Sequence, residues 1–349
     1  MKENGTSPFG VLAGVGIALV LGAVVSVGIS SSTVMSLLTQ ATIYAVFATG
    51  LGVLLRQNGM VSFGHALFFG AAGYVIGVLL QTKAVSGEAA ILIAVAGISA
   101  FAFVYGLIIV RVPGIAFGMI TLAVGQMFYV TSARSRGLTG GADGMNIDWA
   151  STLFGVPLST LHKPAGMFLL SWAVLVLTVG GLALLLRGRF GSVTEAIRDN
   201  EERARFIGIR TLLPRATVFA LSAFVTSQAG VLSAIYTGFV SPESMDLSVS
   251  AIALMMVVVG GTRALWGPGL GAVVYFLTKD ILGDYAQHWM GIFGVALIAV
   301  IVFFPEGIAG GLLTLWRRVV PGRAPPVTAA SVPVAARSAS ERLDFGPPA

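Results

Sequence analysis

The chain contains no cysteine and little charge. Without cysteine among its 349 residues, disulfide bonds, iron–sulfur clusters and thiolate zinc sites are excluded. Only 10% of the residues are charged, against roughly a quarter in soluble domains. Hydrophobic residues make up 56%, and the mean hydropathy is +0.90. These values predict an all-α polytopic membrane protein, whose helices pack against one another and against membrane lipid.

Motifs for catalysis and nucleotide binding are also missing. The histidines His65, His162 and His288 are scattered, and no HExxH, GxSxG or clustered carboxylate pair occurs. No Gly-Lys dipeptide occurs, so there is no GxxxxGK[ST] phosphate-binding loop. The sequence therefore predicts no enzyme activity, no cofactor and no metal site, and ATP could act only through another chain. In this class the net charge of +6 indicates membrane topology rather than nucleic-acid binding.

Apolar runs recur along the chain, and about ten are long enough to cross a bilayer as helices. The first run exceeds a signal-peptide core, so we interpret it as a retained span, with a cleaved signal as the alternative. The eighth and ninth runs are short, which predicts half-helices or tilted helices. The predicted spans are 9–30, 33–55, 60–81, 89–110, 115–132, 166–186, 215–237, 247–262, 266–283 and 289–305.

The positions of Lys and Arg predict the orientation of these spans. With residues 187–215 in the cytoplasm, both termini are cytoplasmic, and all but five of the 21 basic residues lie on that side. Residues 1–320 then form the membrane domain, with an external loop at 133–165. Residues 321–349 are rich in Pro, Ala and Ser, which predicts a disordered cytoplasmic tail. The five external basic residues are Lys83, Arg134, Arg136, Lys163 and Lys279.

Residues 187–215 form the only long charged stretch between apolar runs, with seven arginines and four acids. Apolar and small residues recur there every three or four positions, which predicts one amphipathic helix. A helix of this kind in a membrane protein indicates a surface on which a soluble partner docks. Its predicted inner face consists of Val193, Ala196, Ile197, Asn200, Ala204 and Ile207.

Polar residues within the spans are candidates for a solute pathway. His65, a turn or two into the third span, is either a gating group or a packing histidine bonded to a backbone carbonyl at a helix break. Asp280 and Asp284 lie at the outer end of the ninth span and are interpreted as interfacial, so the sequence does not favour ion coupling. Ser62, Thr121, Gln126, Thr139 and Thr262 are further pathway candidates, with interhelical hydrogen bonding as the alternative.

Glycine positions predict close packing and interrupted helices. Gly64, Gly70, Gly73 and Gly77 lie nearly on one face, which allows another helix to approach closely. The segment 267–269, Gly-Pro-Gly, predicts a break that is buried or lines a cavity. When the sequence is aligned with itself at an offset of 201 residues, several residues coincide, which indicates either duplicated halves or chance. This alignment superposes Gly59, Gly70, Ala71 and Tyr74 on Gly260, Gly271, Ala272 and Tyr275.

Seven motifs in order make the chain similar to a known family. It resembles the inner-membrane permease subunits of branched-chain amino acid ABC importers, of the LivM type. Each motif is weak alone, but their order over most of the chain is specific. The motifs are GMVSFGHALFFGAAGYV (59–75), GIAFGMITLAVGQMF (114–128), LTGGADGM (138–145), GRFGSVTEAIRDNEERARFIGI (188–209), FVSPES (239–244), MMVVVGGTRALWGPGLGA (255–272) and FFPEGI (303–308).

The resemblance implies a bacterial inner-membrane protein that pairs with a homologous permease, as a heterodimer, around the solute path. It also implies two ATPase subunits inside, which bind the ATP, and a periplasmic solute-binding protein outside. The ATPase-coupling residues would be Glu195, Ala196, Ile197, Arg198, Asp199 and Gly208. The pathway or helix-break candidates extend to Gly70, Tyr74, Gly140, Gly260, Gly261, Gly267 and Pro268.

Two departures from the family pattern and two alternative functions remain. The spacing of Gly208 from the Glu195-Ala196 pair differs from the family pattern. Arg263 and Ala264 stand where the family has smaller residues, which affects the predicted position of the helix break. A urea or short-chain amide permease of the same family is one alternative. An ion-coupled secondary carrier is the alternative from another class.

Overall fold

A computed structural model describes residues 8–83, 85–112, 114–285 and 306–319, together with five single residues between 291 and 298. Residues 1–311 form one compact unit, and 312–319 are the described part of a second. The predicted tail at 321–349 lies outside the described residues, as does most of the predicted tenth span.

The described secondary structure is almost entirely helical. The helices are α1 (Pro8–Gly28), α2 (Ser32–Asn58), α3 (Ala66–Gln81), α4 (Gly87–Ile109), α5 (Ile115–Arg134), α6 (Arg136–Thr139), α7 (Leu158–Leu161), α8 (Pro164–Arg187), α9 (Arg189–Asp199), α10 (Glu201–Phe206), α11 (Leu212–Thr237), α12 (Leu247–Gly260), α13 (Gly267–Tyr285) and α14 (Gly307–Val319). The two-residue strands are β1 (Met145–Asn146), β2 (Thr152–Leu153), β3 (Val156–Pro157) and β4 (Phe239–Val240), and 3₁₀ turns cover Gly141–Asp143 and Pro242–Met245.

Six described helices are long and apolar enough to cross a membrane: α1, α2, α4, α5, α8 and α11. The apolar helices α3 and α12 are shorter, with 16 and 14 residues. The predicted multi-pass membrane class is therefore confirmed, but the predicted count of about ten spans is not. The third predicted span is shortened because its first residues, before Ala66, are not helical.

Helix α2 lies at the centre of the core. Residues 41–54 are buried except Tyr44, which is half-buried, and α8, α11, α12 and α13 pack around them. The hydroxyl groups of Thr39 and Thr49 donate to carbonyl groups one turn back, at 2.8 and 2.7 Å, so these polar side chains are satisfied inside the apolar core. We call the two ends of the bundle the Ser32 end and the Asn58 end, after the first and last residues of α2.

Small residues let the central helices approach closely. A Cβ atom at Gly230 of α11 would lie 2.1 Å from the carbonyl oxygen of Phe69 in α3. Gly70 also allows a close contact, but with the 3₁₀ turn Pro242–Met245 rather than with another long helix, because its Cβ position lies 2.3 Å from Met245 Cγ. Gly64 departs from the prediction: it precedes α3 and packs against the backbone of Thr121 instead.

Two non-helical breaks interrupt the core at the same spacing as the sequence repeat. The first separates α2 from α3, after Gly59 ends α2 in the left-handed region at φ 65°. The second separates α12 from α13, after Gly261 at φ 84°. Helices α3 and α13 begin 201 residues apart, at Ala66 and Gly267. His65 therefore lies directly before α3, not a turn or two into a span as predicted, because residues 60–65 form the break.

The predicted external loop folds onto the Ser32 end of the bundle. Strand β1 pairs antiparallel with β4, so that Met145 lies opposite Val240. The indole Nε1 of Trp149 donates to the carbonyl oxygen of Ala234 at 3.2 Å. The loop is thus fixed to the end of α11.

Candidate functional site

The charged segment forms two helices rather than the one predicted. Helix α9 ends at Asp199, and Asn200 is extended at φ −161° and ψ 103°. Its side chain caps α10 by accepting from the backbone N–H of Arg203 at 2.8 Å, which is the physical reason for the interruption. The predicted inner face is partly wrong, because Ala196, Asn200 and Ile207 are exposed. The buried residues of the two helices are Gly191, Thr194, Ile197 and Ala204.

Helix α9 is fixed to the end of α2 by specific hydrogen bonds. The buried hydroxyl of Thr194 donates to Oε1 of Gln57 at 2.7 Å. The guanidinium of Arg198 donates to the carbonyl oxygen of Arg56 at 2.7 Å and contacts Asp199 at 2.8 Å. A displacement of α9 would therefore reach the last turn of α2 directly.

Helix α10 is fixed to the start of α11 through Glu201. Its carboxylate accepts from Arg205 at 2.5 Å and from Thr211 at 2.9 Å, and it pairs with Arg215. Partial burial opposes ionisation of Glu201, but the hydrogen bond from Thr211 and the positive charges of Arg215 and Arg205 outweigh it and lower the pKa of this carboxyl. The charged carboxylate of Glu201 thus links α10 to the start of α11, and we call this set of contacts the Glu201 clamp.

The outward side of α9 and α10 carries charge and exposed apolar side chains. We call the exposed residues Glu195, Ala196, Phe206 and Ile207 the α9–α10 surface. Phe206 is 89% exposed, more than any other large hydrophobic side chain that the structure describes, and the adjacent Ile207 is 72% exposed. Gly208 follows them in the left-handed region at φ 85°, where glycine is favoured, and no atom lies within 4 Å of its Cβ position.

A cleft of about 510 Å³ lies beside α9 and is shared with the second break. Glu195 and Arg198 line it from α9, and Gly261 and Thr262 line it from the break. The guanidinium of Arg56 donates to the carbonyl oxygen of Arg263 at 2.6 Å. Arg263 in turn pairs with Glu306. Arg56 therefore connects the end of α2 with the second break.

A buried polar cluster stabilises the first break. Ser222 donates to the carbonyl oxygen of Gly50 at 2.6 Å, so its oxygen accepts from Nε2 of His65 at 2.7 Å. Nδ1 of His65 contacts the hydroxyl of Ser62 at 3.0 Å. The hydroxyl of Thr121 accepts from the backbone N–H of Phe63 at 3.2 Å. Ser62, His65 and Thr121 are thus hydrogen-bonded core residues, and a pathway role for them stays a prediction.

The second break brings together Gly260, Gly261, Gly267 and Pro268. A Cβ atom at Gly260 would lie 2.0 Å from the carbonyl oxygen of Gly267, so the two helix ends meet through their backbones. Pro268 lies in the first turn of α13. Backbone N–H groups in a first turn have no acceptor within the helix, so the N–H that proline lacks costs no hydrogen bond there. Its ring packs against Gly52 of α2, where the Cβ position is 2.6 Å from Pro268 Cγ. A buried break is present, but it covers residues 261–266, and the predicted segment 267–269 forms the first turn of α13 instead.

The remaining pathway candidates lie elsewhere in the bundle. Gln126 contacts Asp246 at 3.5 Å. Thr139 donates to the carbonyl oxygen of Ser132 at 2.6 Å, and Gly140 is in the left-handed region at φ 75°. Tyr74 is buried, and its hydroxyl makes no hydrogen bond within the part of the chain that the structure describes. The candidates therefore form separate groups rather than one lining.

Comparison with known proteins identifies the family. The family described as "Branched-chain amino acid transport system / permease component" matches residues 33–304. The chain belongs to this family. The permease is 25% identical over 290 residues to the high-affinity branched-chain amino acid transport system permease protein LivM of Escherichia coli strain K12, over 77% of this chain and 68% of that protein. It is 28% identical over 319 residues to the autoinducer 2 import system permease protein LsrC of Salmonella typhi, over 86% of each. No solved structure matches the chain.

These relatives confirm several predictions made from the sequence. They are transport permease subunits rather than enzymes, as expected from the missing catalytic motifs. The chain is thus the multi-pass membrane component of an ABC transporter. Among the described residues, no group of three or more His, Asp or Glu could hold a metal ion.

Sequence reasoning missed three residues that shape this permease. Asn200 was assigned to a helix face, although Asn followed by Glu201 and Glu202 is a helix-start signal. Phe206 was not singled out, because an apolar residue in an oily chain carries no distinguishing pattern. Ser222 was also missed, since its distance of 157 residues from His65 in the chain conceals their contact.

Proposed function

We propose that this permease is a translocation subunit of an ATP-driven importer for branched-chain or related amino acids. The observation that carries the proposal is the α9–α10 surface, which exposes Phe206 and Ile207 while its buried side is bonded to the end of α2. The substrate class comes from the relative named for branched-chain amino acid transport. A second candidate is autoinducer 2, after the name of the other relative, and a urea or amide permease remains the third.

The proposed assembly places a different partner at each end of the permease. Two ATPase subunits, which bind the ATP, dock at the Asn58 end, where α9 and α10 present their exposed side chains. A periplasmic solute-binding protein docks at the Ser32 end, and a homologous permease completes the solute path as a heterodimer. Both termini are then cytoplasmic, in keeping with the distribution of Lys and Arg.

The proposed mechanism transmits ATPase motion through hydrogen bonds. ATP closes the ATPase dimer and displaces α9, whose Arg198 holds the carbonyl oxygen of Arg56. Arg56 holds the carbonyl oxygen of Arg263, so the end of α2 and the second break move together. This movement opens the path outward, and hydrolysis restores the inward-open state.

Co-purification with the ATPase subunits tests the docking assignment. Glu195 is exposed and lies on the α9–α10 surface, so Glu195→Lys changes the surface charge without removing a buried contact. Arg198→Glu would also remove the hydrogen bond to Arg56 and is therefore a less clean test. We expect Glu195→Lys to reduce both ATPase association and ATP-dependent uptake. The matched control is Glu243→Lys, the same charge change at an exposed residue of the Ser32 end.

The two variants should differ in their association with the ATPase subunits. Glu243→Lys should leave ATPase association at the wild-type level. Equal ATPase association in all three proteins would show that α9 is not the docking element. Substrate identity is tested separately, by uptake of leucine, autoinducer 2 and urea in the presence of the cognate binding protein.

A further inference from the structure

A second cleft, of about 530 Å³, lies at the Ser32 end of the bundle, between the first turns of α2 and the last turns of α13. Its volume falls within the range of sites that hold small molecules, roughly 300–1,000 Å³. Because Arg56 at the other end of α2 contacts α9, this cleft lies at the end opposite the α9–α10 surface. It therefore lies at the end where, in the proposed assembly, the external solute-binding protein docks.

Polar side chains of α2 form one wall of this cleft. Ser32, Ser36 and Gln40 are spaced four residues apart, so they lie along one face of the helix. None of these three side chains makes a hydrogen bond with another described residue. Most other hydroxyl groups of α2, such as that of Thr39, bond within their own helix. A row of polar groups that has no hydrogen-bond partner among the described residues is free to bond a solute or water.

The opposite wall, on α13, carries charges of both signs. Lys279 and Asp280 are exposed and line the cleft, and neither forms an ion pair within the described chain. The Lys279 ammonium lies 5.9 Å from the centroid of the Phe276 ring. Phe276 and Leu37 add apolar surface to the same cleft. Lys279 and Asp280 thus offer one charge of each sign to a ligand in the cleft, at the outer end of α13.

We propose that this cleft binds the transported solute as a free α-amino acid with an aliphatic side chain. Lys279 receives the α-carboxylate, Asp280 receives the α-ammonium group, and the hydroxyl groups of α2 supply further hydrogen bonds. Leu37 and Phe276 contact the aliphatic side chain. This inference rests on the proposed amino-acid transport function and adds an entry site in the permease itself.

Cysteine protection tests the site directly. The chain has no cysteine, so Ser36→Cys introduces a single thiol in this subunit at a half-buried position of the cleft wall. The assembled transporter, with ATPase subunits but without binding protein, is treated with a methanethiosulfonate reagent, and modification of the permease is followed by mass spectrometry. Leucine at ten times its half-protecting concentration should slow modification about tenfold. Thr82→Cys, an exposed position at the same end, should react at a rate that leucine does not change.

Variants and analogues then separate the two charge contacts. Lys279→Gln and Asp280→Asn, each added to Ser36→Cys, should raise the half-protecting leucine concentration about tenfold or more, as expected for loss of a charge-assisted hydrogen bond. Leucinamide lacks the carboxylate and 4-methylpentanoate lacks the amine, so both should protect weakly. Gly283→Leu should abolish protection by filling the cleft, since no atom lies within 4 Å of the Gly283 Cβ position.

The results also separate this inference from the proposed function. If ATP-driven leucine uptake occurs but leucine does not protect Ser36→Cys, the cleft is not the entry site. Protection that is unchanged in both charge variants would likewise overturn the assignment. If leucine is not transported at all, the proposed substrate fails first, and the same protection assay with autoinducer 2 or urea shows whether the cleft binds another solute.

Discussion

Two arginines of this permease bind backbone carbonyl groups at positions where helices end. Arg198 donates to the carbonyl oxygen of Arg56, in the last turn of α2. The final carbonyl groups of a helix have no partner within it, and they carry partial negative charge. Arg56 in turn satisfies a carbonyl oxygen of the second break, at Arg263. These contacts satisfy backbone carbonyl groups and join α9, the end of α2 and the second break.

Phe206 should contribute binding energy to the ATPase rather than stability to the permease. Because its side chain is 89% exposed, Phe206→Ala should leave the thermal midpoint of the isolated subunit unchanged. An exposed aromatic that becomes buried on docking is typical of a binding hot spot, so ATPase affinity should fall about tenfold or more. Affinity is measured by titrating the ATPase onto the permease in nanodiscs.

Phe154→Ala provides the matched control for this prediction. Phe154 is 62% exposed and lies in the loop at the Ser32 end, so its removal should not change ATPase affinity. An unchanged affinity in Phe206→Ala would exclude Phe206 from the contact.

Gly260 should tolerate no side chain. A Cβ atom there would lie 2.0 Å from the carbonyl oxygen of Gly267, which is backbone and cannot rotate away. Gly260→Ala should lower stability by about 1–3 kcal/mol, the usual cost of overpacking, seen as a lower thermal midpoint in detergent. Gly97→Ala is the control, because no atom lies within 4 Å of its Cβ position. Equal midpoints for the two variants would contradict the close contact at the second break.

At the scale of elements, the charge of Glu201 should stabilise the helical conformation of α10. Glu201→Gln removes the charge that pairs with Arg205 and Arg215, so the amide hydrogens of 203–209 should exchange about tenfold faster at pH 7. Glu202→Gln, a neighbouring exposed carboxyl, should leave the exchange rates unchanged. Equal rates in both variants would show that the clamp does not hold α10.

The same clamp should depend on pH. The pKa of folded Glu201 lies below its ordinary value of 4.5, so its charge stabilises α10 above pH 4.5. This stabilisation is lost as the pH falls through the lowered pKa. We compare the amide exchange rates of residues 203–209 in wild type and in Glu201→Gln, with Glu202→Gln as the control at each pH. The difference between the first two should therefore persist at pH 5–7 and shrink below pH 4.5. A difference that stays constant below pH 4.5 would contradict this assignment.

Periodicity predicted most elements of the fold but not their interruptions. Long apolar helices such as α2 and α11 follow directly from runs of apolar residues, and Gly267-Pro268 marked the second break because proline cannot continue a helix. The first break was missed, because residues 60–65 contain no proline and were included in the predicted span 60–81. What holds them out of a helix is a set of distant contacts, including the one between His65 and Ser222, that no local pattern reveals.

At the scale of the whole molecule, the sequence predicted class and family better than span number or side-chain contacts. Low charge and repeated apolar runs were sufficient for a polytopic membrane protein, and seven ordered motifs for the family. The pathway candidates were chosen one by one for polarity. They separate in the fold because a buried hydroxyl in a membrane helix can serve packing as well as transport.

ATP dependence of uptake in proteoliposomes tests the central claim most directly. The permease, its homologous partner, the ATPase subunits and the binding protein are reconstituted, and leucine uptake is measured with ATP or with an imposed proton or sodium gradient. We predict uptake that requires ATP, persists when ion gradients are dissipated, and falls in Glu195→Lys. Leucine uptake driven by an ion gradient without ATP would contradict the account.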